Sequence, residues 1–221
     1  MLDLYLKGGT FMHPILLASV IALAVAIERG WFFWQMQGEV EKAFEALSDR
    51  LWSGDKEGAM RMAEKIAGPI GVVLKEGLKH RDEGPEIVEE AMAIRGEEVL
   101  QTVRQGIPLL ALIASVSTML GLLGTVVGLV EAFQKVAEMQ ERVSPALLAS
   151  GIWAALITTV GGLFVAIPTL IAHHFFQGRV AHLAFRIEHY GSELLLLLKR
   201  EQARGGAPSA AWAMGESRCS D

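Results

Sequence analysis

Cysteine is almost absent from this chain. The single one, Cys219, sits in a polar C-terminal stretch, so no disulfide closes within the chain and no cysteine-based metal site forms. Charge is scarce as well: Asp, Glu, Lys and Arg make up 20% of 221 residues, where a soluble domain carries about a quarter. Hydrophobic residues reach 52%, too many for a disordered chain. No basic cluster exists and the formal net charge is −5, which argues against nucleic acid as a partner. Internal repeats are also missing. So are a serine-centred elbow, a metalloprotease motif and a carboxylate pair in an apolar stretch, and with them the main signs of an enzyme. What the composition does fit is an all-α integral membrane protein.

The scarcity is not uniform. Three stretches contain no Asp, Glu, Lys or Arg: Gly8 to Ile27 (20 residues), Gly106 to Val130 (25 residues) and Val143 to Ala172 (30 residues). A bilayer core about 30 Å thick takes roughly 20 helical residues to cross, so each stretch is long enough. Inside lipid the backbone must satisfy its own hydrogen bonds, and without barrel-like alternation that requires helices. The alanines around Ala22 to Ala26 offer signal-peptide cleavage sites. The run instead ends in Glu28-Arg29 followed by Trp31-Phe32-Phe33-Trp34, an interfacial aromatic belt with a charge stop, so a retained helix is expected. Of the 20 Lys and Arg residues, 17 fall between the first two spans or after the third, and 3 fall at the opposite ends. That bias places the N-terminus outside and the C-terminus in the cytoplasm.

The expected organisation is an outer N-terminus over 1–9, a first span over 10–35, and a cytoplasmic helical segment over 36–105. A second span covers 106–135, an outer loop 136–145, and a third span 146–177. A cytoplasmic helix follows over 178–203, then a disordered tail over 204–221. Gln37 to Leu51 carries apolar residues at helical spacing, Ser53-Gly54-Asp55 interrupts it, and Lys56 to Ile66 resumes. Pro69 and Pro85 stand where a first helical turn tolerates proline. The helix opened by Pro85 is expected to run through Arg104 into the second span, with Pro108 bending it. No breaker separates the third span from the helical pattern of Ala181 to Lys199.

Within the second span, Ala111, Ser115, Thr118, Gly121, Thr125, Gly128 and Ala132 fall on one helical stripe. The third span carries Gly151, Ala155, Thr158, Gly162, Ala166 and Thr169 in the same way. Such stripes let membrane helices approach closely, and a pore lining is the other reading. Gly121-x-x-Gly124-x-x-x-Gly128 lacks the Lys-Ser/Thr of a phosphate loop. Thr118, Thr125, Thr158 and Thr159 can each hydrogen-bond their own helix, or a water or a partner's carboxyl if two stripes face one cavity. No Asp, Glu, Lys or Arg lies within the three charge-free stretches, whereas an ion path ordinarily carries an ionisable group. If this chain conducts, the titrating group belongs to another chain. His173-His174 point about 100° apart on a helix and make interfacial residues rather than metal ligands; no cofactor or metal is expected.

Three segments resemble the MotA/TolQ/ExbB proton channel family, closest to the ExbB and TolQ branch. They are Pro14 to Arg29, ending in the Glu-Arg pair, Leu120 to Phe133, with its Leu-Gly-Thr signature, and Gly151 to Pro168. The resemblance implies a homopentameric ring in the bacterial inner membrane around ExbD/TolR-like single-span partners. One partner aspartate would titrate as protons pass, driving work at the outer membrane, with a TonB/TolA-like protein as a further partner. It also implies that Thr125 and Thr159 face that aspartate, with Thr118, Thr158 and Ala154 near the same path. Gly121, Gly124, Gly128, Gly151, Gly162 and Pro168 would pack the helices. Two positions depart from the branch: Ala154 stands where a glutamate is usual, and Thr118 where a proline is usual. The first departure motivates an alternative, a non-conducting membrane scaffold that holds a partner.

Overall fold

The structure is a computed structural model that describes residues 11–36, 38, 40–138 and 145–204. The expected outer N-terminus, most of the outer loop and nearly all of the C-terminal tail, with Cys219, lie outside the described residues. Among those described there are seven helices and no strand: α1 Met12–Gln35, α2 Val40–Trp52, α3 Lys56–Lys65, α4 Pro69–Lys79, α5 Pro85–Arg104, α6 Ile107–Glu138 and α7 Pro145–Arg204. Three of these helical stretches are long and apolar enough to cross a membrane. The protein is an all-α integral membrane protein.

The chain divides into two units. Among the described residues, the apolar unit comprises those up to Trp31 together with those of Gly106–Gln177, and the charged unit comprises those of Phe32–Gln105 together with those from Gly178 to Arg204. Helices α1 and α7 contribute to both.

One expectation about the chain path is corrected. The helix opened by Pro85 ends at Arg104, and α6 begins afresh at Ile107. Gly106 lies between them at φ 77°, in the left-handed region that glycine adopts without strain. Pro108 therefore occupies the first turn of α6, where its missing N–H costs nothing. It starts a helix rather than bending one.

In the charged unit the helices follow the apolar spacing of the sequence. Helix α2 buries Val40, Phe44, Leu47 and Leu51, and α4 buries Ile70, Val73, Leu74 and Leu78. Asp55 caps α3: its carboxylate accepts the Gly58 N–H at 2.8 Å. Gly84, at φ 113°, turns the chain into Pro85 at the start of α5. Helix α7 closes this core through Ile187, Leu194 and Leu198, and the Gly77 position lies against Met92 and Leu194.

Candidate functional site: the membrane helix pair

Helices α6 and α7 run antiparallel in the apolar unit, and their closest approach is made by small residues. A methyl group at Gly162 would fall 2.5 Å from the Ser117 carbonyl oxygen and 3.0 Å from the Gly121 Cα. One at Gly128 would fall 2.9 Å from the Ala155 Cβ, and one at Gly151 2.6 Å from the Ala132 Cβ. The Gly124 position is pressed against the Thr158 side chain. Contacts this tight leave no room for a β-carbon, so glycine is required for the backbones to meet.

The contact line on α7 runs through Ala155, Thr158, Gly162, Ala166 and Thr169, all buried. On α6 it runs through Ala114, Ser117, Gly121, Gly124, Gly128 and Ala132. Three members of the stripe read from sequence are therefore displaced: Ser115, Thr118 and Thr125 each sit one residue C-terminal to the contacting Ala114, Ser117 and Gly124. One residue is about 100° of helix rotation, which turns them to the flank of the pair. Ser115 and Thr118 are exposed in the single chain and Thr125 is partly so.

The four threonines consequently differ in role. Thr118 donates to the Ala114 carbonyl at 3.0 Å and Thr125 to the Leu122 carbonyl at 2.6 Å, both bonds within α6. Thr158 donates to the Ala154 carbonyl at 3.1 Å and is only 2% exposed. It is wedged inside the pair, where the absent side chain of Gly124 makes space for it. Thr159 donates across the pair to the Gly121 carbonyl at 2.8 Å. Its hydroxyl ties the two helices together at their narrowest point, a role sequence spacing does not disclose. Ala154 is partly exposed.

The stripe expected from the sequence passes over Ser117, which lies between its members Ser115 and Thr118. Ser117 is fully buried, and its hydroxyl has no hydrogen-bond partner among the described residues. At the far end of the pair, His173 Nδ1 donates to the Ile107 carbonyl at 3.0 Å, pinning the first turn of α6 to α7. That bond requires the proton on Nδ1, since a carbonyl only accepts. Pro168, inside α7, lines a cleft of about 180 Å³ with Ser19, Ala22 and Leu23 of α1. Lacking an N–H, it leaves the Phe164 carbonyl without its usual helical donor.

Electrostatics concentrate in the charged unit. The Gly58 N–H and then Arg50 hold the Asp55 carboxyl below its ordinary pKa. Lys75, at 2.7 Å, does the same for Glu64, and Lys79 for Glu76. Among the described residues no group of three His, Cys, Asp or Glu side chains is placed to hold a metal ion. The described part of the apolar unit's helix pair carries no charged side chain between Gly106 and Val130 or between Pro145 and Ala172.

The profile of the MotA/TolQ/ExbB proton channel family matches residues 65–189, which takes in α5, α6 and the membrane part of α7. This chain belongs to the MotA/TolQ/ExbB proton channel family. Within the family it falls in the ExbB/TolQ branch. It is 34% identical to a protein of Synechocystis sp. named for its likeness to the biopolymer transport protein ExbB, across 90% of this chain and 79% of that one. It is 30% identical to the Tol-Pal system protein TolQ of Haemophilus influenzae, across 94% and 96% of the two chains. The biopolymer transport protein exbB1 of Vibrio cholerae is 34% identical across 73% of this chain and 72% of its own.

Proposed function

We propose that this chain is the ring-forming subunit of a motor driven by the proton-motive force, sited in the bacterial inner membrane with its N-terminus periplasmic and its C-terminus cytoplasmic. Five copies surround the membrane helices of ExbD/TolR-like partners, and proton passage along that interface drives biopolymer transport or envelope work through a TonB/TolA-like protein. The observation that carries this reading is a division of chemistry. The membrane helices of a chain in a proton channel family offer hydroxyls on the flank of the α6–α7 pair, and their charge-free stretches supply no Asp, Glu, Lys or Arg to titrate beside them.

Thr125 has the chemistry to receive a partner aspartate in both protonation states. While its hydroxyl donates to Leu122, its lone pairs accept the O–H of a protonated carboxyl. An ionised carboxylate, a stronger acceptor, draws the hydroxyl proton out of the intrahelical bond instead. Thr159 has the same acceptor capacity, but its proton is committed to the bond that joins the helices.

A second reading, a non-conducting scaffold ring, rests on Ala154. That position supplies only a methyl group and a carbonyl already taken by Thr158. Native mass spectrometry of the detergent-purified chain tests what the two readings share. A closed pentamer is expected, and a monomer or dimer that persists in mild detergent would remove the ring.

A further inference from the structure

The charged unit contains a cleft of about 440 Å³ lined by Gly38, Val40, Glu41 and Lys42 on one wall and His182, Arg186 and Tyr190 on the other. The second wall is a single face of α7, since residues four apart lie above one another on a helix. Phe44 packs on Tyr190 with ring centroids 4.9 Å apart, which holds the Tyr190 ring in place at the cleft. Arg186 lies 5.9 Å from the Tyr190 ring centroid and makes no ion pair among the described residues. A guanidinium held in a cleft, beside a lysine and a histidine, with no carboxylate partner among the described residues, is a receptor for an oxyanion. The helix pair of the apolar unit makes no use of these groups.

We infer that this cleft binds the phosphoethanolamine headgroup of a membrane phospholipid. The phosphate diester takes Arg186, His182 and Lys42, and the primary ammonium takes the Glu41 carboxylate. Chain connectivity selects a lipid as the source of the phosphate. Gly38 follows Gln35, the last residue of the apolar helix α1, by three residues, which span at most about 11 Å. His182 follows Gln177 by five residues of the same helix, a rise of about 8 Å. Both walls therefore leave membrane-crossing helices within the depth of a headgroup layer. Glu41 decides between headgroups. It would repel a second anion and cannot accept a hydrogen bond from a quaternary choline, whereas a primary ammonium offers three donors.

The test uses the full chain reconstituted in nanodiscs with equal parts phosphatidylethanolamine, phosphatidylglycerol and phosphatidylcholine, followed by native mass spectrometry to count retained lipids of each class. Wild type is expected to retain phosphatidylethanolamine over the other two. Arg186→Gln should lower that retention about fivefold, the effect of one cationic side chain at a headgroup. Arg186→Lys should recover part of it, and Glu41→Gln should abolish the preference over phosphatidylglycerol while lipid is still held. Arg200→Gln, on the same helix outside the cleft, serves as the control and should change nothing. Equal retention by Arg186→Gln and wild type overturns the site. Displacement of the lipid by millimolar inorganic phosphate overturns the lipid as its source.

Discussion

Where α6 and α7 approach most closely the residues are glycine, alanine, serine and threonine, while Leu122, Phe164 and Ile171 face outward, 63%, 68% and 65% exposed. In the charged unit Leu47, Leu78 and Leu194 are fully buried, and the outer faces carry the ion pairs of Lys75 with Glu64 and Arg95 with Glu98. The solvent explains the inversion. Water rewards burial of large apolar side chains, by about 25 cal/mol per Å², so the charged unit hides its leucines. Lipid is as apolar as leucine and gives no such reward, so helices there associate through close backbone approach and shared hydrogen bonds. The same sequence thus obeys two packing rules. The hydroxyls of Thr158 and Thr159 are taken up at the membrane contact, which leaves those of Thr118 and Thr125 on its flank.

The largest test of that contrast is Gly162→Leu. A side chain at Gly162 meets the Ser117 carbonyl and the Gly121 backbone, neither of which is a flexible group, so the α6–α7 pair should fail to form. The readout is loss of the monodisperse peak in detergent size-exclusion chromatography, with helicity measured in parallel. Retention of a wild-type peak would mean the close approach is dispensable.

Leu78→Ala should come next, destabilising the charged unit by about 2–5 kcal/mol through the cavity it leaves. Leu122→Ala, the same change on the outward face of α6, should barely alter the melting of the single chain. If the two melt alike, the two packing rules are not distinct.

Thr159→Val removes the bond to Gly121 at nearly constant volume. A membrane interhelical hydrogen bond is worth about 0.6–2 kcal/mol, so thermal unfolding should show a modest loss. Thr125→Val, whose bond stays within α6, should leave stability nearly unchanged and instead reduce proton flux in the assembled complex.

The smallest effect is on acid stability. Asp55, Glu64 and Glu76 have folded pKa values depressed below their ordinary ones. Their contribution is therefore present above the ordinary carboxylate range and lost as pH falls through it. Circular dichroism melts of the chain should decline below about pH 4, with no decline from these groups between about pH 5 and pH 8.

Much of this architecture was readable because membrane spans announce themselves by missing charge, a signal that needs no pairing information. The displaced stripe on α6 shows the limit. Small residues stand at Ser115, Ser117 and Thr118 and again at Gly124 and Thr125, so several registers satisfy a 3.6-residue period, and only the facing helix selects one. The break at Gly106 was hidden for a related reason: Gly106 and Pro108 read equally as an interior kink or as a stop and a start. The bonds from Thr159 to Gly121 and from His173 to Ile107 join residues 38 and 66 positions apart, which no local pattern encodes.

A motor role requires that the flank hydroxyls serve a proton path. Its most direct test is proton uptake into liposomes holding this chain and an aspartate-bearing single-span partner under an imposed membrane potential. The prediction is uptake above empty liposomes that disappears when the partner's membrane aspartate becomes asparagine and falls sharply with Thr125→Val. Uptake no greater than that of empty liposomes, from a complex shown intact by native mass spectrometry, would contradict proton passage and leave the scaffold.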